Sequence, residues 1–328
     1  MRRLCGGLAL ALAVALSMAP AARAAEPSPQ LVAVVRALQA DDARINAIGF
    51  RLASVNSAFC PDVRQASGLL LLDAAAFNVP SSIRLAMALK GDFAVEAVAP
   101  RSPAERAGIR PGEELLAIDG RALAVLSAGI APQNQVRLGF LHDEIETALD
   151  RRGQVSLQFA ARTVDLRGVP ACHAHFELAT SGNGAQAGFG VVLMSRALLY
   201  ETRNDDEAAF VLAHELSHLV LGHQQRRKQA GKSRKVTLET EREADRLAAW
   251  LMANAGYDAA TAPAFLRRRG AKGLAALFPE GSHDSAPARA RLVEAELAEM
   301  GTAPTDGEGR RDWRARFIRP QASLNRFR

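Results

Sequence analysis

The sequence predicts an α+β protein, in which a mainly helical part with a small edge sheet is interrupted by a β-rich insert. Apolar residues recur at helical spacing on both sides of the insert, whereas residues from about 91 to 169 alternate in polarity between Gly- and Pro-containing turns. The 328 residues are 48% hydrophobic and 23% charged, which is typical of globular proteins and long enough for two domains. We expect five segments, namely 1–24, 25–80, 81–169, 170–302 and 303–328.

The first 24 residues have the pattern of a secretory signal peptide. Two arginines precede an apolar run from Leu8 to Met18, and Ala22-Arg23-Ala24 has the form of a signal-peptidase site. The run is shorter than the roughly 20 residues that cross a bilayer, and no later stretch is longer. We therefore expect an exported, soluble chain with no transmembrane anchor after cleavage.

The charge argues against nucleic acid as a partner. Removing residues 1–24 takes away three arginines and no acid, so the net charge falls from +6 to +3. This balance is too mild to indicate nucleic-acid binding. The remaining excess is local, in residues 226–235 and in the tail 303–328, where a solvated loop and a frayed end account for it.

Cleavage also leaves two cysteines, Cys60 and Cys172, in a chain addressed to an oxidising compartment. We expect one disulfide between them. Two separate buried thiols are the alternative, because the sequence gives no distance between the residues.

The segment 25–80 is predicted to begin with one or two amphipathic helices that end near Asn56 and pack on the C-terminal domain. The apolar residues at helical spacing are Leu31, Val34, Val35, Leu38, Ile45, Ile48 and Leu52.

The β-rich insert, 81–169, starts with a strand in which Phe93, Val95 and Val98 are apolar. A short helix at Ser102-Pro103, a further strand ending at 119–120, a helix at 143–151 and two last strands follow. This order resembles a PDZ domain, most closely over residues 93–123. The resemblance implies that a C-terminal peptide adds as a strand beside the one starting at Phe93, with its terminus held by a loop near 89–92. The alternative is a small β-rich spacer without a ligand.

Beyond Pro170 the chain is predicted to be mainly helical after one strand within 188–199. His173 and His175 alternate and would share one face of a strand, but neither a carboxylate nor a third histidine stands beside them in the sequence. We therefore favour an ordinary surface strand over a metal site. Gly182, Gly184 and Gly188 precede the strand at the wrong spacing for a dinucleotide-binding loop, so no organic cofactor is expected.

The stretch HELSHLVLGH, 214–223, contains the residues that indicate chemistry. Asn204, with Glu207 three residues on, predicts the start of a helix that runs to about 223. His214 and His218 are four apart, about 40° around a helix, so both imidazoles can hold one ion. A zinc site of this kind leaves a position for water and needs a base beside it, a role that Glu215 fits.

His223 follows His218 by five positions, about 140° around the same helix, so we expect it to face away from the ion. A polar residue near the helix C-terminus, favoured by the helix dipole, is the interpretation we adopt.

A second helix, within 238–256, offers the third ligand. Glu241 and Asp245 are four apart, so Glu241 can complete the zinc shell while Asp245 accepts the N–H of a ligating histidine. Glu243 competes for the same role, but the residue four positions after it is Leu247, which cannot accept that hydrogen bond. We favour Glu241.

HELSH followed by EREAD resembles the gluzincin metallopeptidase family that includes the CAAX prenyl endopeptidase and bacterial heat-shock and periplasmic quality-control proteases. The likeness covers roughly 185–300 and extends to soluble periplasmic members. It implies one Zn²⁺ per chain on His214, His218 and Glu241, with Glu215 as general base.

The same resemblance implies further features. Family members have a histidine, usually followed by proline, six residues before an arginine, and His283 and Arg289 have this spacing, with Asp284 in the proline position. These two residues would stabilise an oxyanion or gate the cleft, and a surface loop is the alternative. The strand GVVLMS, 190–195, would be the edge on which an extended substrate pairs.

The expected function is therefore that of a secreted, periplasmic zinc endopeptidase acting on misfolded or unassembled envelope proteins. A rival is a peptide-binding or chaperone-like protein whose zinc site is silent or self-inhibited. A third interpretation is a metal-dependent hydrolase acting on something other than a peptide.

Overall fold

The structure, a computed structural model, describes residues 27–132, 136–179, 181–231, 233–271 and 284–318. The predicted signal peptide and His283 lie outside these ranges, as does part of the basic tail.

The described residues form a mixture of helices and short strands, so the predicted α+β class is confirmed. The helices are α1 (Pro29–Val55), α2 (Pro80–Ala86), α3 (Pro103–Arg106), α4 (Leu123–Leu126), α5 (Val136–Arg152), α6 (Arg196–Glu201), α7 (Asp205–Val220), α8 (His223–Gln229), α9 (Arg234–Asn254), α10 (Ala262–Ala271), α11 (Ala286–Thr302) and α12 (Arg314–Phe317). The strands are β1 (Val63–Ala66), β2 (Leu69–Asp73), β3 (Phe93–Val98), β4 (Leu115–Ile118), β5 (Arg121–Ala122), β6 (Val155–Phe159), β7 (Thr163–Leu166), β8 (Val169–Cys172), β9 (His175–Ala179), β10 (Ala185–Gly188) and β11 (Val191–Ser195).

One hydrophobic core joins α1, α7, α9 and α11 to a small sheet of order β10-β11-β9. The N-terminal apolar pattern forms a single helix, whose Ile45, Ile48 and Leu52 are buried in this core. Helix α1 lies very close to β9, since a Cβ on Gly49 would be 2.0 Å from the ring of Phe176. Only glycine fits at this crossing, and α1 is thereby part of the C-terminal domain.

The predicted substrate strand does not have the position expected of it. Strand β11 pairs in parallel with β9 on one side and antiparallel with β10 on the other, so it is the central strand of the sheet. The strand edge that packs beside α7 is β10, Ala185–Gly188.

A second core lies within the β-rich domain, where α5 packs with β2, with β3 and with a sheet of order β5-β4-β6-β7. Its buried residues run from Leu69 to Leu166. Leu69 and Leu71 of β2 belong to it although they precede residue 81, the predicted start of this domain. Strand β2 is buried at all five positions, so its sequence lacks the polar alternation by which a strand is recognised.

The expectation that a peptide adds beside Phe93 is wrong for this structure, because both edges of β3 are in use. Strand β2 pairs with β3 along its length, and the N–H of Val95 on the other side donates to the carbonyl of Glu113. The free edge of this pair is that of β2, which faces α5. There the N–H of Leu71 donates to Nε2 of His142, at 3.3 Å.

The predicted disulfide is confirmed: Cys60 and Cys172 are bonded, with their Cα atoms 5.5 Å apart. Next to it β1 pairs antiparallel with β8, opposing Val63 and Cys172. The disulfide and the β1–β8 pair together hold the two ends of the β-rich domain next to each other. No helix within the described ranges is both long and apolar enough to cross a membrane.

Candidate metal centre

Helix α7 places HELSH in the middle of the first core. The side chain of Asn204 accepts the N–H of Glu207 at 3.0 Å, which caps the helix where the sequence predicts. His214, Glu215 and His218 are each at most 8% exposed. Burial of ionisable residues is costly unless partners are provided, and α9 provides Glu241 and Asp245 as partners for the two histidines.

Three donor atoms from α7 and α9 converge. Nε2 of His214 lies 3.2 Å from Nε2 of His218 and 3.3 Å from Oε2 of Glu241, and Nε2 of His218 lies 3.6 Å from the same oxygen. Ligands about 2.0–2.1 Å from one tetrahedral ion are separated by roughly these distances. The two histidines and Glu241 therefore form a group able to hold a metal.

Asp245 lies behind His214, as the four-residue spacing from Glu241 predicts. Its Oδ1 is 2.9 Å from Nδ1 of His214, so Nδ1 carries the proton and Nε2 faces the other two donors. Burial would lower the pKa of His214, but Asp245 and Glu241 outweigh it and raise this pKa to about 10 in the absence of metal.

Arg289 is bound to Asp245 by both arms of its guanidinium, with Nε 2.8 Å from Oδ2 and a terminal nitrogen 2.7 Å from Oδ1. Burial raises the pKa of Asp245, but the charge of Arg289 and the bond to His214 hold it well below its usual range. Arg289 thus acts on the metal-ligating group indirectly, because it binds Asp245, which in turn bonds to His214. Its sequence partner His283 lies outside the described residues, and Asp284, in the proline position, pairs with Arg242.

His223 does not face away from the site. Helix α7 ends at Val220, Gly222 adopts a left-handed conformation with φ of +62°, and a new helix begins at His223. This reversal brings His223, which is fully buried, to within 2.8 Å of His218, Nδ1 to Nδ1. The 140° estimate assumed one continuous helix; a glycine directly after the helix is the signal that it ends there.

Glu243, the rejected third ligand, supports His223 instead. Its Oε2 lies 3.2 Å from Nε2 of His223 and accepts from Arg226 at 2.6 Å. Burial lowers the pKa of His223 to about 4, so its imidazole is neutral. A neutral ring that donates from Nε2 to Glu243 offers its Nδ1 lone pair to the N–H of His218.

Each histidine of the group therefore has its Nδ1 fixed by a buried partner and its Nε2 directed to the shared centre. Oε1 of Glu241 pairs with Arg227 at 3.0 Å, which turns Oε2 towards the histidines. Two neutral imidazole nitrogens with one carboxylate oxygen form a donor set that suits zinc and leaves a fourth position for water. The residues present fit a catalytic zinc ion.

A helix pair of this kind, with an acid beside the first histidine, is typical of hydrolytic metal centres. Residues 206–278 match the family model described as Peptidase U49, and the match includes all residues of the group from His214 to Asp245. Residues 94–128 match the model of a PDZ domain. A search of curated proteins finds no match for the chain. The matches indicate a peptidase that carries a PDZ domain.

Proposed function

We propose that this protein is a zinc-dependent endopeptidase of the gluzincin type. The observation that supports the proposal best is the convergence of His214, His218 and Glu241 within 3.6 Å, inside the region that is similar to a peptidase. Glu215 follows the first ligand on the same buried helix.

A zinc ion held there would polarise a peptide carbonyl and acidify a water molecule. Glu215, which follows the ligand His214 on α7, would accept a proton from that water and deliver it to the leaving amine. Asp245 and His223 keep the two imidazoles in the tautomer that directs Nε2 to the centre. Arg289 and Arg226 hold Asp245 and Glu243 in turn, so the contacts behind each ligating histidine end at an arginine.

An extended substrate is proposed to pair with β10. This strand is an edge of its sheet and packs against α7, whereas β11 is covered on both sides. Main-chain pairing would allow binding without a strict sequence requirement, since the hydrogen bonds involve only the backbone. Misfolded or unassembled proteins of the bacterial periplasm are the substrate class that the resemblance implies, and the PDZ domain would bind peptide ends.

The decisive comparison is between wild type and Glu215→Gln, each assayed for zinc content and for cleavage of casein and of a peptide library. We expect equal zinc content and a loss of cleavage of at least about 100-fold in the variant, because only the base is removed. Asp205→Asn, at the exposed first position of α7, is the matched acid-to-amide control and should leave cleavage unchanged.

If wild type and Glu215→Gln bind zinc equally and neither cleaves, the endopeptidase proposal is wrong. The PDZ match would then favour the peptide-binding alternative, which fluorescence anisotropy with labelled C-terminal peptides tests directly.

A further inference from the structure

A second cluster of histidines and acids lies where α5 of the β-rich domain meets the segment between β8 and β9. It contains His142, His173 and His175, three of the seven histidines of the chain, together with Glu146 and Asp143. Asp143 and Glu146 come from about 30 residues earlier in the chain than the two histidines of this segment. The cluster shares no residue with the candidate metal centre.

Three of these side chains have the arrangement of metal ligands. Asp143 and Glu146 are three apart on α5 and so lie on one face of it. Nε2 of His173 is 3.9 Å from Oε2 of Glu146, and one donor atom from each of Asp143, Glu146 and His173 lies within 4.8 Å of the other two. Two ligand atoms about 2.1 Å from one ion are about 3.4 Å apart at the tetrahedral angle and at most about 4.2 Å apart, and the 3.9 Å between His173 and Glu146 lies in this range.

The proton of His173 is already placed for metal binding. Its Nδ1 lies 3.0 Å from Oδ2 of Asp62, so this nitrogen carries the hydrogen and Nε2 presents its lone pair to Glu146. Asp245 fixes the tautomer of His214 in the same way at the first centre. His142 is not a ligand, because its Nε2 accepts the N–H of Leu71.

Glu146 supplies the independent observation. It is only 6% exposed, and its Oε2, which faces His173, has no hydrogen-bond partner among the described residues. Its other oxygen lies 3.1 Å from Nε2 of His175. A buried carboxylate oxygen without a partner is destabilising, and a cation between it and His173 would remove that cost. Glu146 and His175 also line a small cavity against α1, so the carboxylate is not packed on all sides.

We propose that Asp143, Glu146 and His173 form a second site for a divalent metal of the zinc class, separate from the peptidase centre. One imidazole nitrogen and two carboxylate oxygens are a donor set for zinc or manganese rather than for calcium. Asp143 is exposed, so the ion enters from solvent and keeps water as its remaining ligand. Because the ligands come from α5 and from the chain just before β9, the ion joins the β-rich domain to the sheet of the peptidase domain.

Zinc binding to the metal-stripped mature chain tests the proposal by stoichiometry, with inductively coupled plasma mass spectrometry after dialysis against Zn²⁺. We expect two zinc ions per wild-type chain and one in His173→Gln, in which the amide still bonds to Asp62 but offers no ligand nitrogen. Asp143→Asn, at an exposed position, should fold normally and also bind one ion. Glu144→Gln, the next residue on α5, pairs with Arg121 outside the cluster and should retain two.

Asp62→Ala, which removes the acceptor of the Nδ1–H of His173, tests the placement of the proton. It leaves all three ligands intact and should raise the Kd of the second site by about 10–100-fold, the usual effect of removing the partner of a ligating histidine. Equal zinc content in wild type, His173→Gln and Asp143→Asn would overturn this proposal. A single zinc ion that His173→Gln abolishes would instead support this site and refute the first centre, so the two failures are distinguishable.

Discussion

His223 gives the sharpest prediction, because its spacing predicts that it faces away from the ion whereas the structure places it directly behind the ligand His218. Replacing it with alanine removes the acceptor for Nδ1–H of His218, 2.8 Å away, in a position that is fully buried. The ligand His218 is then free to change tautomer or to rotate.

The magnitude follows from two contributions. Loss of the group that orients a ligating histidine weakens metal binding by about 10–100-fold, or roughly 1.4–2.7 kcal/mol. The unsatisfied N–H of His218 costs the metal-free fold about 1–3 kcal/mol in free energy of unfolding. We therefore expect His223→Ala to be folded but less stable, with a zinc Kd raised by at least about tenfold.

The assay is competition for Zn²⁺ with a chromophoric chelator, together with the visible absorption spectrum of the Co²⁺-substituted protein, which reports ligand geometry. His223→Asn keeps an acceptor near the position of Nδ1 and should recover part of the affinity, which a purely structural defect would not allow. Gln225→Ala, exposed on the same helix, is the matched control. A folded His223→Ala protein with the zinc affinity and cobalt spectrum of the wild type would refute the reasoning.

Three further predictions concern the scaffold. Burial, with the nearby Asp42, raises the pKa of Glu96 to about 8, so between about pH 5 and pH 8 the folded chain keeps a proton that the unfolded chain releases. The free energy of unfolding should therefore fall by on the order of 3 kcal/mol as pH rises through this range. Denaturant titrations of Glu96→Gln should show a smaller fall, and a fall equal to that of the wild type would contradict this view. Reducing the Cys60–Cys172 bond, which spans 112 residues, should lower the free energy of unfolding by about 2–5 kcal/mol, measured with and without dithiothreitol. Two reactive thiols in the unreduced, denatured chain would contradict the bond itself. Gly49→Ala should lower the melting temperature by several degrees because its methyl group would overlap β9. Gly139→Ala, with open space around its Cβ in α5, should not lower it. Equal melting temperatures of the two variants would refute the close approach of α1 to β9.

Helical spacing explains why much of the candidate site could be predicted from sequence. His214, His218, Glu241 and Asp245 are related by separations of four on two helices, and that periodicity fixes which side chains share a face without any knowledge of the fold. What spacing does not give is how α7 and α9 approach each other. The choice of Glu241 over Glu243 relied on finding a second acid four positions later, and the structure places Glu243 against His223.

The features that were not predicted depend on where regular elements end or on contacts distant in sequence. His223 lies elsewhere than predicted because α7 ends at Val220 and the left-handed backbone of Gly222 reverses the chain. Strand β2 is not recognisable in the sequence because an apolar run buried on both faces has no periodicity. The contact between Glu146 and His173 cannot be predicted from the sequence, because only the packing of α5 against the core brings the two residues together.

Helix α5 takes part both in the groove beside β2 and in the second metal site, so peptide binding and metal binding should affect each other. The groove between β2 and α5 is closed at Leu71 by the bond to His142, so a peptide that adds to β2 has to break that bond and move α5 outward. The same helix carries Asp143 and Glu146, while the partner His173 follows disulfide-bonded Cys172 and is held near the core. An ion between them resists movement of α5, so peptide affinity of the PDZ domain should be weaker with zinc than without it. By thermodynamic reciprocity the peptide then weakens the second zinc site by the same factor. If peptide affinity is the same with and without Zn²⁺ in wild type and in His173→Gln, α5 does not move on binding and the groove is entered elsewhere.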